Sequence, residues 1–278
     1  MGIYHFSPAL RAFADLAKAR MLAGRGATLL LEGPPGGGKT AFSKAIASEL
    51  GGKVYYYSGA PDRERDLLYE VDVDGVLRRQ AGWTPGPAWE AFEASARGEP
   101  AVLLIDEVDK TSPGFDAFML RLLEQYAFRA PGGKEVRANP AHLIVVLTSN
   151  GRRTLRPEVI RRCQRVFVPL PENDRLKAIV RQIAEWEVPT PILDLMIRIG
   201  DLVRKDEEEA APSPKELALL CGDLRVLASS GVLFYDDVVM REVAASYLTK
   251  HGDRAGHLDR VTKFRWAVAL RNEMVKAA

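Results

Sequence analysis

Apolar positions along the chain follow two rhythms. Short runs at residues 28–31, 54–57, 101–105, 143–147 and 166–168 are apolar at consecutive positions, and helix-length segments separate them. Consecutive rather than alternate apolar residues predict strands buried on both faces, and their alternation with helices predicts a parallel sheet covered by helices on both sides. Before the first run, Ser7 and Pro8 read as the N-cap and first residue of an Ala-rich helix that Gly24 and Gly26 close. Two Gly-containing turns flanked by strand-like residues predict hairpins, one around Asp74 and Gly75 in VDVDGVLRRQAGWTPGP and one around Pro131, Gly132 and Gly133 in AFRAPGGKEVRANP. After Pro169 and Pro171 the pattern is helical only, which sets a domain boundary near Leu170. Asn173 is expected to cap a helix over 174–187, and 206–209 to form a solvated acidic loop. Ser213 with Glu216 makes a capping box with Pro214 at the first helical position.

Composition narrows the function classes. A length of 278 residues suits one large and one smaller domain, and 47% hydrophobic residues suffice for a sizeable core. Lys and Arg number 39 against 37 Asp and Glu, so a net charge of +2 gives no global footprint for nucleic acid or an anionic membrane. Cys163 and Cys221 stand far apart without a metal-ligand pattern, as in a reducing compartment. With no signal pattern and no apolar run near the roughly 20 residues of a membrane span, a cytoplasmic protein is expected. Residues 250–278 hold seven Lys and Arg against three acids, interleaved with Leu258, Val261, Phe264, Trp266 and Leu270. They predict an amphipathic helix that docks on the rest of the chain or on a partner, with nucleic-acid contact the lesser reading. His251 and His257 lack a ligand constellation and are read as surface residues, Trp186 and Trp266 as packing residues.

Three motifs carry chemistry, each at the end of a predicted strand. GPPGGGKT, residues 33–40, has the G-x-x-x-x-G-K-[ST] spacing between strand and helix. Its glycines let backbone N–H groups wrap phosphate, Lys39 reaches the terminal phosphates and Thr40 offers a hydroxyl to Mg²⁺. AVLLIDEVDK, 101–110, ends an apolar strand in two acids. Asp106 suits Mg²⁺, and Glu107 suits the attacking water of phosphoryl transfer. HLIVVLTSN, 142–150, brings Asn150 to the same sheet edge, within reach of that water or the terminal phosphate. PEVIRRC, 157–163, sets Arg161 and Arg162 side by side at a short helix end, where a permanently charged planar fork suits phosphate oxygens.

Together these residues resemble the AAA+ ATPases, in particular the MoxR-like branch, from about residue 26 to about residue 248. The resemblance rests on LLLEGPPGGGKTAFSKAIA, DLLYEVDVDG, WTPGPAWEAFE, LLIDEVDKTSPGFDAFMLRLLEQ, LTSN and APSPKELALL. It implies an α/β fold: an AAA+ parallel-sheet core over 1–170 with a helix-2 insert and a pre-sensor-1 hairpin, and a small α-helical lid over 171–248; the C-terminal basic amphipathic helix expected over 249–278 lies beyond the resemblance. It implies that Gly33, Pro34, Pro35, Gly36, Gly37, Gly38, Lys39, Thr40 and Ala41 bind ATP, that Thr40 and Asp106 hold Mg²⁺, and that Glu107 and Asn150 are the Walker B glutamate and sensor 1. Arg162 falls on the arginine-finger position. Arg161 takes a place where relatives often carry an acid, which leaves the choice between the two arginines open. Lys215 stands where the family usually has a sensor 2 arginine.

The function so implied is Mg²⁺-dependent ATP hydrolysis in a self-assembled ring, a hexamer, coupled to remodelling of a protein client. The usual MoxR partner is a metal-binding adhesion-type domain protein. A nucleic-acid motor or loader, and a nucleotide-switched scaffold with little turnover, are the alternatives. The residues themselves distinguish neither the client nor ATP from GTP.

Overall fold

The computed structural model describes residues 4, 6–61, 63–71, 82–184, 186–207, 212–230, 237–250, 252–262 and 265–277. They divide into two compact units, an α/β unit of Phe6–Pro34 with Gly38–Pro169 and a helical unit built on Leu170–Ala278.

The α/β unit is organised by a parallel sheet of β1 (Ala27–Glu32), β2 (Lys53–Ser58), β5 (Ala101–Asp106), β8 (Leu143–Ser149) and β9 (Gln164–Phe167), in the order β2-β5-β8-β1-β9 among the described residues. The run-length rule explains the order. β1, β5 and β8 are buried at nearly every position, whereas β2 and β9 alternate buried with exposed and lie at the two edges. A strand whose successive residues are all buried has cover on both faces. Helices α1 (Pro8–Leu22), α2 (Lys39–Glu49) and α3 (Pro87–Ala96) pack on the sheet and supply that cover. Ser7 accepts from the Leu10 N–H and Gly24 adopts φ 71° just past the end of α1, as the sequence predicted. The registers Leu31↔Thr148, Glu32↔Ser149 and Ser58↔Asp106 bring the C-terminal ends of β1, β2, β5 and β8 to one edge.

Two antiparallel pairs stand apart from the main sheet. β3 (Tyr69–Val71) pairs antiparallel with β4 (Trp83–Pro85); the predicted hairpin turn at Asp74 and Gly75 lies outside the described residues. The second hairpin is β6 (Ala127–Arg129) with β7 (Glu135–Arg137), turned through Pro131–Gly133, where Gly132 and Gly133 take φ 78° and 82°. α4 (Pro113–Gln125) follows the acidic motif, and α5 is a single turn, Pro157–Ile160.

The helical unit comprises α6 (Asn173–Ala184), α7 (Thr190–Glu207), α8 (Pro214–Ser229), α9 (Asp237–Leu248), α10 (Arg254–Thr262) and α11 (Trp266–Ala277). The capping box is present: Ser213 Oγ accepts from Glu216 N–H and Glu216 Oε2 accepts from Ser213 N–H. Four expectations need correction. Asn173 is the first helical residue, and α6 stops at Ala184, short of 187, because Pro189 disfavours helix at Val188 and Arg181 holds the Val188 carbonyl at 3.0 Å. Of the expected acidic loop over 206–209, Asp206 and Glu207 belong to the last turn of α7, because the apolar period through Ile192, Met196, Ile199 and Val203 carries the helix that far, and 208 and 209 lie outside the described residues. The C-terminal stretch is two helices. Its apolar spacing shortens to two residues between Phe264 and Trp266, which breaks the 3.6 period. Both helices enter the core: Ala255, Leu258, Trp266, Leu270 and Met274 share one apolar cluster with Leu193, Met196 and Leu217, and Trp266 Nε1 donates to Asp259 at 2.9 Å across the corner. His257 is therefore buried, not on the surface, while His251 lies outside the described residues. Trp186 packs at the margin of this core with the Arg225 guanidinium 5.0 Å from its ring. Among the described residues no helix is long and apolar enough to cross a membrane.

Candidate active site

The phosphate loop begins where β1 ends. Gly33 sits so close to the neighbouring strand that a Cβ would meet the Val168 carbonyl oxygen at 2.2 Å, so only glycine fits. Gly38 caps α2 in the left-handed region, φ 92°, without a side-chain cap, which leaves the N–H groups of the first turn to an external acceptor. Lys39 is buried, and its Nζ donates to the carbonyls of Gly33 at 2.6 Å and Pro34 at 2.9 Å. Burial pulls the Lys39 ammonium below its usual pKa, and the carboxylates of Asp106, Asp109 and Glu107 oppose that pull. Pro35, Gly36 and Gly37 group with the helical unit, so the geometry here rests on Gly33, Pro34, Gly38, Lys39, Thr40 and the exposed Ala41.

Thr40 and Asp106 meet although 66 residues separate them: Thr40 Oγ1 donates to Asp106 Oδ2 at 2.9 Å. Tyr56 OH lies 3.4 Å from the same oxygen, and Thr148 Oγ1 donates to Asp106 Oδ1. A hydroxyl and a carboxylate side by side are hard oxygen donors. They fit Mg²⁺, which takes one or two protein oxygens and completes its shell with waters and substrate phosphates. Among the described residues no cluster of three or more His, Cys, Asp or Glu offers an all-protein metal cage.

Glu107 follows in an unusual backbone state. With φ 53° and ψ 47° it is one of two described non-glycine residues with positive φ, the other being Tyr126. Its N–H donates to Thr148 Oγ1 at 2.8 Å, so one threonine hydroxyl is shared by both acids. Its carboxylate accepts from Asn150 Nδ2 at 3.2 Å on one oxygen and from Lys110 Nζ at 2.5 Å on the other. Asn150 is itself fixed from the acidic turn, its N–H donating to Asp109 Oδ2 at 3.2 Å.

The structure thus brings Lys39, Thr40, Asp106, Glu107 and Asn150 together at one sheet edge. Arg161 and Arg162 lie just past α5, both exposed, with Arg162 paired to Glu124 of α4. Lys215 is exposed in the first turn of α8 in the helical unit. Sequence reasoning missed Thr148, Asp109 and Lys110. Thr148 left a trace, a polar residue closing an apolar buried strand; Asp109 and Lys110 left only their places in DEVDK. Burial pushes both cysteine thiols up to about 12, with Glu32 adding to the effect at Cys163, which disfavours the thiolate.

Residues 28–163 match the family model described as AAA domain (dynein-related subfamily). The chain is similar to Lon protease of Protochlamydia amoebophila, 33% identical over 132 residues, which is 45% of this chain and 15% of that protein. It is similar to Fidgetin-like protein 1 of Drosophila melanogaster, 26% over 161 residues, 56% of this chain and 28% of that protein. It is also similar to Cell division control protein 48 homolog C of Arabidopsis thaliana, 28% over 173 residues, 60% of this chain and 19% of that protein. The chain therefore spans less than a third of the length of each of these relatives.

Proposed function

From an AAA+ ATPase domain across residues 28–163, we propose that the chain binds ATP with Mg²⁺ and hydrolyses it in a ring of like subunits. The observation that carries this reading is the convergence of a buried Lys39, the Thr40 and Asp106 pair and the Glu107 and Asn150 pair at one edge of the sheet. Gly33 to Ala41 wrap the phosphates with backbone N–H groups, and Lys39 supplies the compact charge at the terminal phosphates. Mg²⁺, held by Thr40 and Asp106, would neutralise charge on the phosphate oxygens. Thr148 fixes the Asp106 carboxylate and the Glu107 backbone at once. Glu107 orients and polarises the water, and Asn150 holds the Glu107 carboxylate to that task.

The wider role extends the same reading. The chain is a MoxR-like member, assembles as a hexamer in the cytoplasm and remodels or activates a protein client, such as one with a metal-binding adhesion-type domain. Its two hairpins face that client. Arg162, with Arg161 beside it, serves the neighbouring subunit's ATP, and Lys215 contacts the γ-phosphate as sensor 2. Glu107→Gln is expected to bind ATP yet lose about 10²-fold or more in turnover, since the amide keeps the shape and loses the charge. Lys39→Ala should instead weaken ATP binding itself. Near wild-type kcat in Glu107→Gln, measured by phosphate release at saturating ATP, would remove Glu107 from its role.

A further inference from the structure

Behind the candidate site lies a second polar cluster that touches no reacting group. Asp116 on α4 is 1% exposed, and both of its oxygens are taken. Arg153 grips it with a planar fork, Nη2 to Oδ1 at 2.8 Å and Nη1 to Oδ2 at 2.9 Å. Oδ2 also accepts the N–H of Arg156 at 2.8 Å, and Arg156 is the residue that opens α5. In the other direction Arg153 Nη2 reaches the Val108 carbonyl at 3.4 Å and Thr111 Oγ1 at 3.2 Å, in the turn that starts with Glu107. Asp109 in that turn holds the N–H groups of Asn150 at 3.2 Å and Arg152 at 2.9 Å. An unbroken chain of bonds therefore runs from the residue after Glu107, through Arg153 and Asp116, to the start of the one-turn helix that ends in Arg161 and Arg162.

Val159 seats α5 in the apolar core with Ile160 against it, and Arg162 pairs with Glu124. Four residues make too short a helix to hold itself, and α5 has no side-chain cap of its own at Arg156, so the bond from the Arg156 N–H to Asp116 is the side-chain anchor at its start. A buried bidentate ion pair is rigid, and breaking it by removing one partner leaves an uncompensated charge.

We propose that Asp116 and Arg153 are positioning residues for the arginine pair, locking α5 to the turn after Glu107 so that each subunit presents its arginines in register with its own ATP site. This rests on the reading above of a ring in which an arginine acts across the subunit boundary. Asp116 and Arg153 act on the neighbour's reaction through α5. They contact neither substrate nor metal.

Mixed rings separate the two claims. Arg161→Ala/Arg162→Ala subunits keep an intact phosphate loop and accept an arginine; Glu107→Gln subunits bind ATP, assemble and donate one. Activity that returns on mixing reports only sites where an intact loop faces a donated arginine. Placing Arg153→Lys in the donor keeps the charge and removes the fork. The recovered rate should fall about tenfold, within the ~10²-fold that a 1 Å misplacement costs, with KM for ATP unchanged. The same substitution in the acceptor should change the rate by less than about twofold, because its own arginines are already absent. No recovery with the plain Glu107→Gln donor would overturn the trans-acting arginine, and the positioning role with it. Recovery that is equal with and without Arg153→Lys in the donor, or equal losses in donor and acceptor, would overturn the positioning role alone. Asp116→Asn should repeat the donor defect where it folds, and Arg153→Lys, at a partly exposed side chain, decides the matter where it does not.

Discussion

The five predicted residues at the sheet edge and the three predicted cations away from it are held in opposite ways. Lys39, Thr40, Asp106, Glu107 and Asn150 each engage groups of their own unit, on backbone carbonyls, hydroxyls or one another. Arg161, Arg162 and Lys215 stand exposed, and among them only Arg162 makes an ion pair within the described residues, to Glu124. The first set is preorganised for work within one subunit, where geometry costs nothing at the moment of reaction. Under the proposed function the second is completed by a partner surface or by substrate. An exposed ion pair contributes only about 0–1 kcal/mol, so the Glu124 pair holds Arg162 weakly.

That contrast can be broken at three places. Arg162→Ala should leave ATP binding intact and lower turnover by about 10³-fold, the range of an arginine finger, although within its own subunit it loses only an exposed ion pair to Glu124. Arg161→Ala then decides which arginine acts: a larger loss there than at 162, in parallel single-turnover assays, would move the role by one residue. Thr148→Val comes next. It removes the hydroxyl shared by Asp106 and the Glu107 N–H, leaving partly buried polar groups unsatisfied at a cost of about 1–3 kcal/mol. Turnover should drop about tenfold and the melting temperature should fall, as read by steady-state kinetics and thermal denaturation; an unchanged rate would show the acids to be held by other contacts. Lys215→Ala should have the smallest effect, below about fivefold in kcat/KM, because a lysine is a point charge without the fork of the usual arginine. A loss above about 10²-fold in the same assay would place Lys215 with the preorganised set.

The same contrast marks how far the sequence can be read. Strands β1, β5 and β8 were legible because burial on both faces forces consecutive apolar residues, and the loop and acid motifs because their chemistry is local in sequence. Thr148, Asp109, Lys110 and the Arg153–Asp116 pair were not. Thr148, Asp109 and Arg153 meet their partners some 40 residues away through strand register, which no local pattern encodes, and Lys110 looks like any charged turn residue. The C-terminal stretch misled for a different reason. Its charge and its apolar interleaving are those of a docking helix, but a break in period splits it in two and turns both halves, His257 included, into the core of the helical unit.

The left-handed backbone at Glu107 sets endurance against turnover. For a residue with a Cβ that conformation costs about 1–2 kcal/mol, and glycine would occupy it without penalty. Selection for heat resistance alone would therefore favour replacing the one carboxylate assigned to the water.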